Sequence, residues 1–187
     1  VIIISKYYRH ILVLLNFICI LFADSRIENK SILKILYEDD FWNLEKVKED
    51  SLFIYSKNIK GMDLIAFRVN KKVSIDPMEI INVISDIENY ENFITNSESL
   101  KTKKISQSNG ALDVYQHITI DLPFFSNRDY FYRMIANKEA LYNNKLIEWY
   151  LLDPLDTSIK GFKKDPSAIY LEHGAGLWLS TPYENGK

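Results

Sequence analysis

The sequence predicts an α+β domain, a curved antiparallel β-sheet with helices enclosing an apolar cavity, and three observations predict it. Leu112, Val114, Gln116, Ile118, Ile120 and Leu122 alternate with Asp113, Tyr115, His117, Thr119 and Asp121, a period of two over residues 112–122. Asp76-Pro77-Met78-Glu79 is a helix start, with an Asp cap, proline at the first helical position and Glu three residues after the cap. Short turn segments, Lys60-Gly61-Met62-Asp63 and Tyr142-Asn143-Asn144, separate consecutive apolar runs and imply antiparallel neighbours.

In chain order, residues 1–25 read as a signal peptide. Lys6, Arg9 and His10 precede an apolar run over residues 11–23 that is shorter than a membrane span needs, and Ala23-Asp24-Ser25 offers small residues for cleavage. Export follows, periplasmic or secreted; an uncleaved membrane anchor is the alternative. Ile32, Leu33, Ile35, Leu36, Trp42, Leu44 and Val47 fall near helical spacing and predict an amphipathic helix over 29–48. Residues 51–57 and 64–69 predict a hairpin turning at Gly61. After the Asp76 start, Ile80, Ile81, Val83, Ile84 and Ile87 form an apolar helix face, followed by a second short helix over 90–93. From residue 99 onward the pattern is β: the 112–122 strand with one apolar face, strands over 128–137 and 145–152, and a segment over 167–182 broken at Gly174-Ala175-Gly176. An antiparallel sheet of six or more strands must curl to cover its apolar face, with the helices closing the open side.

At 187 residues, without a Pro/Gly/Ser-rich break, the chain is one domain, residues 26–187. The aromatic fraction of 13% within 47% hydrophobic residues calls for a large core or an apolar pocket. A net charge of −2 argues against nucleic acid as a partner. The single cysteine, Cys19, lies in the signal segment, so the mature chain has no thiol nucleophile or disulfide. There is no Gly-x-Ser-x-Gly elbow, phosphate loop, dinucleotide glycine pattern or zinc signature, so the sequence nominates no catalytic residue, metal or cofactor.

One stretch stands apart. Leu122-Pro123-Phe124-Phe125-Ser126-Asn127 is a turn that opens directly into Arg128-Asp129-Tyr130-Phe131-Tyr132-Arg133, placing an Arg-Asp pair where strands usually carry Val, Ile or Tyr. Pro123 through Tyr130 resembles the Pro-Phe-x-x-x-Arg-Asp-[Phe/Tyr] signature of START (steroidogenic-acute-regulatory-related lipid transfer) domains of the helix-grip superfamily. Trp42, Phe53-Ile54-Tyr55, Phe67-Arg68-Val69, residues 83–90 and Gly176-Leu177-Trp178-Leu179-Ser180-Thr181-Pro182 extend the likeness from Trp42 to Lys187. The resemblance implies a helix-grip fold that binds or transfers lipid. In the family one more strand and a C-terminal lid helix follow, so the domain is expected to be truncated at its C-terminus and its cavity partly open.

In many members a second arginine, six residues after the signature arginine, meets an anionic head group; here Met134 holds that position. Period-two geometry puts Arg133 on the face opposite Tyr130, Tyr132 and Met134. The expected ligand is therefore a sterol, fatty acid or other weakly polar lipid rather than a phospholipid. The expected wall comprises Val114, Gln116, Ile118, Tyr130, Tyr132, Met134, Trp149 and Trp178, while Arg128 and Asp129 organise the strand. His117, among Asp113, Tyr115, Thr119 and Asp121, is expected on a solvated face rather than as an acid–base partner. His173 and Glu172 point to opposite faces and make no metal site. Lys101, Lys103, Lys104 and Lys163-Lys164 are expected as exposed loop residues able to touch an anionic membrane transiently. The function expected is an exported lipid-binding or lipid-transfer protein, with a polyketide cyclase or aromatase-like enzyme or a ligand-gated interaction module as alternatives.

Overall fold

The computed structural model describes residues 28–48, 52–94, 99–136, 146–153 and 165–180. The expected turn at 142–144, Lys163-Lys164 and the signal segment lie outside the described residues. Helix α1 (Asn29–Tyr37) precedes a three-stranded antiparallel sheet of β1 (Asn43–Lys48), β2 (Leu52–Asn58) and β3 (Ile65–Lys71). Helix α2 (Pro77–Ser85), a 3-10 turn (Ile87–Asn89) and the short α3 (Tyr90–Phe93) follow. The larger sheet has the order β4 (Leu100–Ser108), β5 (Ala111–Ile118), β6 (Arg128–Ala136), β7 (Leu146–Leu151) and β9 (Ala175–Leu179), with β8 (Ile169–Tyr170) beside the start of β6. One sheet was expected, and two are found.

The helix expected over 29–48 ends at Tyr37. Glu38-Asp39-Asp40 would put three carboxylates at the negative end of the helix dipole, and Phe41 adopts a left-handed backbone (φ 66°) that breaks any helical run. Lys57 reaches back from β2 to donate to the carbonyls of Ile35 (2.9 Å) and Glu38 (3.2 Å), satisfying groups the helix end leaves open. Trp42, Leu44 and Val47 thus belong to the turn and to β1, with Trp42 under the Arg68 guanidinium.

Helix α2 starts as its sequence dictates: the Asp76 side chain accepts from Met78 N at 2.7 Å, and Pro77 occupies the first turn. Ile81 and Ile87 are buried against the sheet, whereas Val83 of the expected apolar face is half exposed. The alternation over 112–122 outruns its strand. Strand β5 stops at Ile118, and the loop to β6 is pinned by the Asn127 side chain, which accepts from Ile120 N at 3.0 Å.

The bulge or turn expected at 174–176 falls three residues late: the break spans 171–174, and Ala175 and Gly176 open β9. Strand β8 pairs in parallel with β6, and β9 pairs antiparallel with β7. At Gly176 an added Cβ would lie 2.6 Å from the Trp149 indole, so only glycine admits the ring.

Among the described residues no helix is long and apolar enough to cross a membrane.

Candidate functional site

Antiparallel register sorts the larger sheet into two faces, because directly opposed residues share a side. Val114 pairs with Tyr132, Gln116 with Tyr130, Ile118 with Arg128, and Met134 with both Leu112 and Trp149; Ile147 continues the same face to Trp178. All eight wall candidates therefore lie on one side. Val114, Tyr132 and Met134 sit in a core cluster with Ile81, Ile87, Ile147 and Leu151, and Tyr130 and Trp149 pack on its edge. Ile118 is half-buried, and Trp178 is 51% exposed at the far margin.

The wall is neutral. The Tyr130 hydroxyl donates to Gln116 Oε1, and Gln116 Nε2 donates to Thr102 Oγ1 at 3.1 Å, a polar chain across three strands. The Tyr90 hydroxyl donates to the Ile84 carbonyl at 2.5 Å, tying α3 to α2. Burial pushes the phenols of Tyr130 and Tyr90 up to about 12, helped by nearby Tyr90 and Asp86 respectively. Tyr132 shifts upward too, first by burial and then by Tyr90 and Tyr130. These side chains are uncharged hydroxyls at neutral pH.

Helix α2 and the 3-10 turn lie directly on the wall. The space recorded beside them is a cleft of about 270 Å³, lined by residues that include Ile87, Glu88, Lys104, Leu112, Met134 and Ala136. That is slightly below the usual ~300–1,000 Å³ of ligand pockets. Its rim carries a Lys104–Glu88 ion pair at 2.9 Å.

The opposite face overturns the expectation of a solvated surface. His117 is 9% exposed and Asp129 1%, with His117 Nδ1 2.6 Å from Asp129 Oδ1. The Tyr115 hydroxyl donates to the same oxygen at 2.9 Å, and Asp165 N donates to Asp129 Oδ2 at 2.8 Å. The chain at Asp165 thus reaches this face, while β8 runs beside β6 through ladder bonds from Ile169 N to Asn127 O and Leu171 N to Asp129 O. Arg133 grips Asp113 with Nε at 2.6 Å and Nη2 at 2.8 Å, and those bonds raise its already high pKa further. Arg128 donates through Nη1 to the carbonyls of Ser126 (2.5 Å) and Asn127 (3.2 Å), stapling its own turn.

Ile81, Ile87, Ile147 and Leu151 complete the wall but were not among the predicted site residues. The first two were legible as the apolar face of α2, and Ile147 lies within a strand that was read without its register.

No family model matches the sequence, and no curated protein matches it. Among solved structures, the STAR-related lipid transfer protein from Xanthomonas axonopodis superposes with a TM-score of 0.61 at 17% identity, over 79% of this chain and 77% of that one. The fold is START-like. Human STARD10 matches with a TM-score of 0.56 at 14% identity, over 78% of this chain, which spans 56% of the STARD10 chain. At these identities the likeness concerns the fold, the α+β helix-grip arrangement read from the sequence. In this START-like domain the Arg128-Asp129 signature pair opens β6, and the wall follows it along the same strand.

Proposed function

We propose that the START-like domain is an exported lipid-binding or lipid-transfer protein that holds one weakly polar lipid against the β5–β6–β7 wall. The observation that carries this reading is the neutral, aromatic-rich wall of Val114, Tyr130, Tyr132, Met134 and Trp149 on a START-like fold. Shielding is thermodynamic: removing apolar ligand surface from water stabilises the complex by about 25 cal/mol per Å², with no covalent step. The ligand takes the place of Ile87 by displacing the 3-10 turn, whose outer tie, the exposed Lys104–Glu88 pair, costs little to break.

Export is supported by the basic-then-apolar pattern of residues 1–25. Transient membrane contact is supported by the β5–β6 loop, where Leu122, Phe124 and Phe125 are strongly exposed. The wall supplies no acid or base near neutrality, which favours carriage over cyclase-type chemistry.

The test is native mass spectrometry of the full chain purified from cells, followed by vesicle-to-vesicle transfer of the lipid it retains. A stoichiometric lipid that moves between vesicles supports carriage. Conversion of a supplied polyketide-like chain, or absence of any bound lipid, overturns it.

A further inference from the structure

We propose that the tip of the β5–β6 loop, Leu122-Pro123-Phe124-Phe125, is a wedge that enters the interface of a lipid bilayer by apolar contact rather than by charge. This deepens the lipid-transfer reading, on which the role of the wedge rests. Phe125 N donates to Leu122 O at 3.2 Å, and Phe124, third in that turn after Pro123, has a φ of 70°. This is the pattern of a type II turn, whose third position ordinarily takes glycine. A phenylalanine there strains the backbone, and no burial offsets the strain: Phe124 is 106% exposed, and Leu122 and Phe125 are each 59% exposed. A local rule broken without a packing gain marks a surface that packs on something else.

Size and backbone pairing select a bilayer as that occupant. Three apolar side chains on one turn fall short of the ~800 Å² that each side of a standard protein interface buries. The backbone around them is already paired. Pro123 carries no N–H, Asn127 Oδ1 accepts from Ile120 N at 3.0 Å, and Arg128 Nη1 donates to the carbonyls of Ser126 (2.5 Å) and Asn127 (3.2 Å). Bonds made within the loop survive the removal of water, which is what an apolar medium demands of any backbone entering it. Leu and Phe are also the side chains that interfacial segments bury among acyl chains.

Charge near the tip is mixed. Asp121 is exposed beside Leu122, while Lys101 and Lys103 lie on β4 opposite His117 and Tyr115. The Thr119 N to Ser99 O bond (2.6 Å) ties the start of β4 to the base of the loop. Arg128 is turned to the loop's own carbonyls, and Lys104 is paired with Glu88 farther along β4. Asp121 limits the depth of entry, since a carboxylate stays out of hydrocarbon. Anionic lipid is therefore a minor contributor, worth about fivefold per lysine near the surface.

The full chain with Cys19→Ser and a nitrobenzoxadiazole label on Leu122→Cys tests this against phosphatidylcholine vesicles. The same label on Phe67→Cys of β3, another exposed aromatic position (68%), is the control. The label at 122 should shift to the blue and be quenched by brominated acyl chains, and the label at 67 should not. Phe124→Gly separates wedge from turn: it relieves the positive φ, so thermal stability should hold or rise, while insertion and vesicle-to-vesicle lipid transfer fall at least about tenfold. A label at 122 that stays in water, equal burial at 67, insertion only when phosphatidylserine is present, or transfer unchanged in Phe124→Gly overturns the proposal. A blue shift without vesicles that grows with protein concentration also overturns it, because a second copy then covers the tip. Insertion by a chain that retains no lipid in native mass spectrometry leaves the wedge standing and removes the carriage reading; retained lipid without insertion does the reverse.

Discussion

On one face of the β5–β6 ladder, Val114, Tyr132 and Met134 are removed from water by Ile81, Ile87 and Leu151. On the other, Asp113 pairs with a partly buried Arg133, and His117 and Asp129 are buried as a pair whose carboxylate also accepts from Asp165 N. The same two strands thus support two interiors of opposite chemistry. The apolar face gains from area, so its packing tolerates exchange of neighbours. The polar face gains from specific geometry. Each bond there has one satisfactory partner, which suits it to fixing the strand and the 165–171 segment rather than to opening.

Several changes would break or sharpen that contrast. The largest effect should come from Asp129→Ala, which strips the acceptor from His117, Tyr115 and Asp165 N at once. A loss of about 3–5 kcal/mol is expected by chemical denaturation; a loss under about 1 kcal/mol would show that the polar face does not organise the fold. Ile147→Ala, a fully buried position on the apolar face, should cost about 2–5 kcal/mol, depending on how far the site collapses. Unlike Asp129→Ala, this enlarges the wall and should raise capacity for bulkier lipids in a binding assay.

Gly176→Ala should cost about 1–3 kcal/mol, since its Cβ would collide with the Trp149 indole; a near-ultraviolet circular dichroism spectrum altered in the tryptophan region is the accompanying signature. Asp76→Ala removes the α2 cap and should cost about 1 kcal/mol in the same denaturation measurement.

The smallest effect is electrostatic and lies on the apolar face. Tyr130 and Tyr90 are raised from an ordinary value of 10.0 to about 12, so the folded state holds their protons longer than the unfolded chain does. The stability they contribute is fully present below pH 10 and lost as pH rises toward 12. Tyr130→Phe should flatten the decline between those limits, and a decline of unchanged steepness would place its phenol in water.

Features governed by neighbours in sequence were legible without coordinates. The Asp76-Pro77-Glu79 start became α2, the short helix over 90–93 became α3, and the period-two run became β5 with the predicted sharing of faces by Tyr130, Tyr132 and Met134. The α1 boundary was not legible, because helical spacing of Trp42, Leu44 and Val47 also fits a strand and its end depends on Lys57, 22 residues from Ile35. The burial of His117 was not legible either. Alternation tells which residues share a side but not what meets that side, and the contact to the Asp129 carboxylate comes from Asp165, 36 residues along the chain.

The sequence by itself determined the strand and helix types, the side each wall residue takes, and the Arg128-Asp129 signature that points to a START-like fold, because caps, turns and period-two geometry act over a few residues. Only the tertiary structure decided that the His117–Asp129 pair is buried opposite the apolar core and that Gly176 seats Trp149. Burial and hydrogen-bond satisfaction are set by contacts between segments far apart in the chain, and no local pattern encodes which segment arrives.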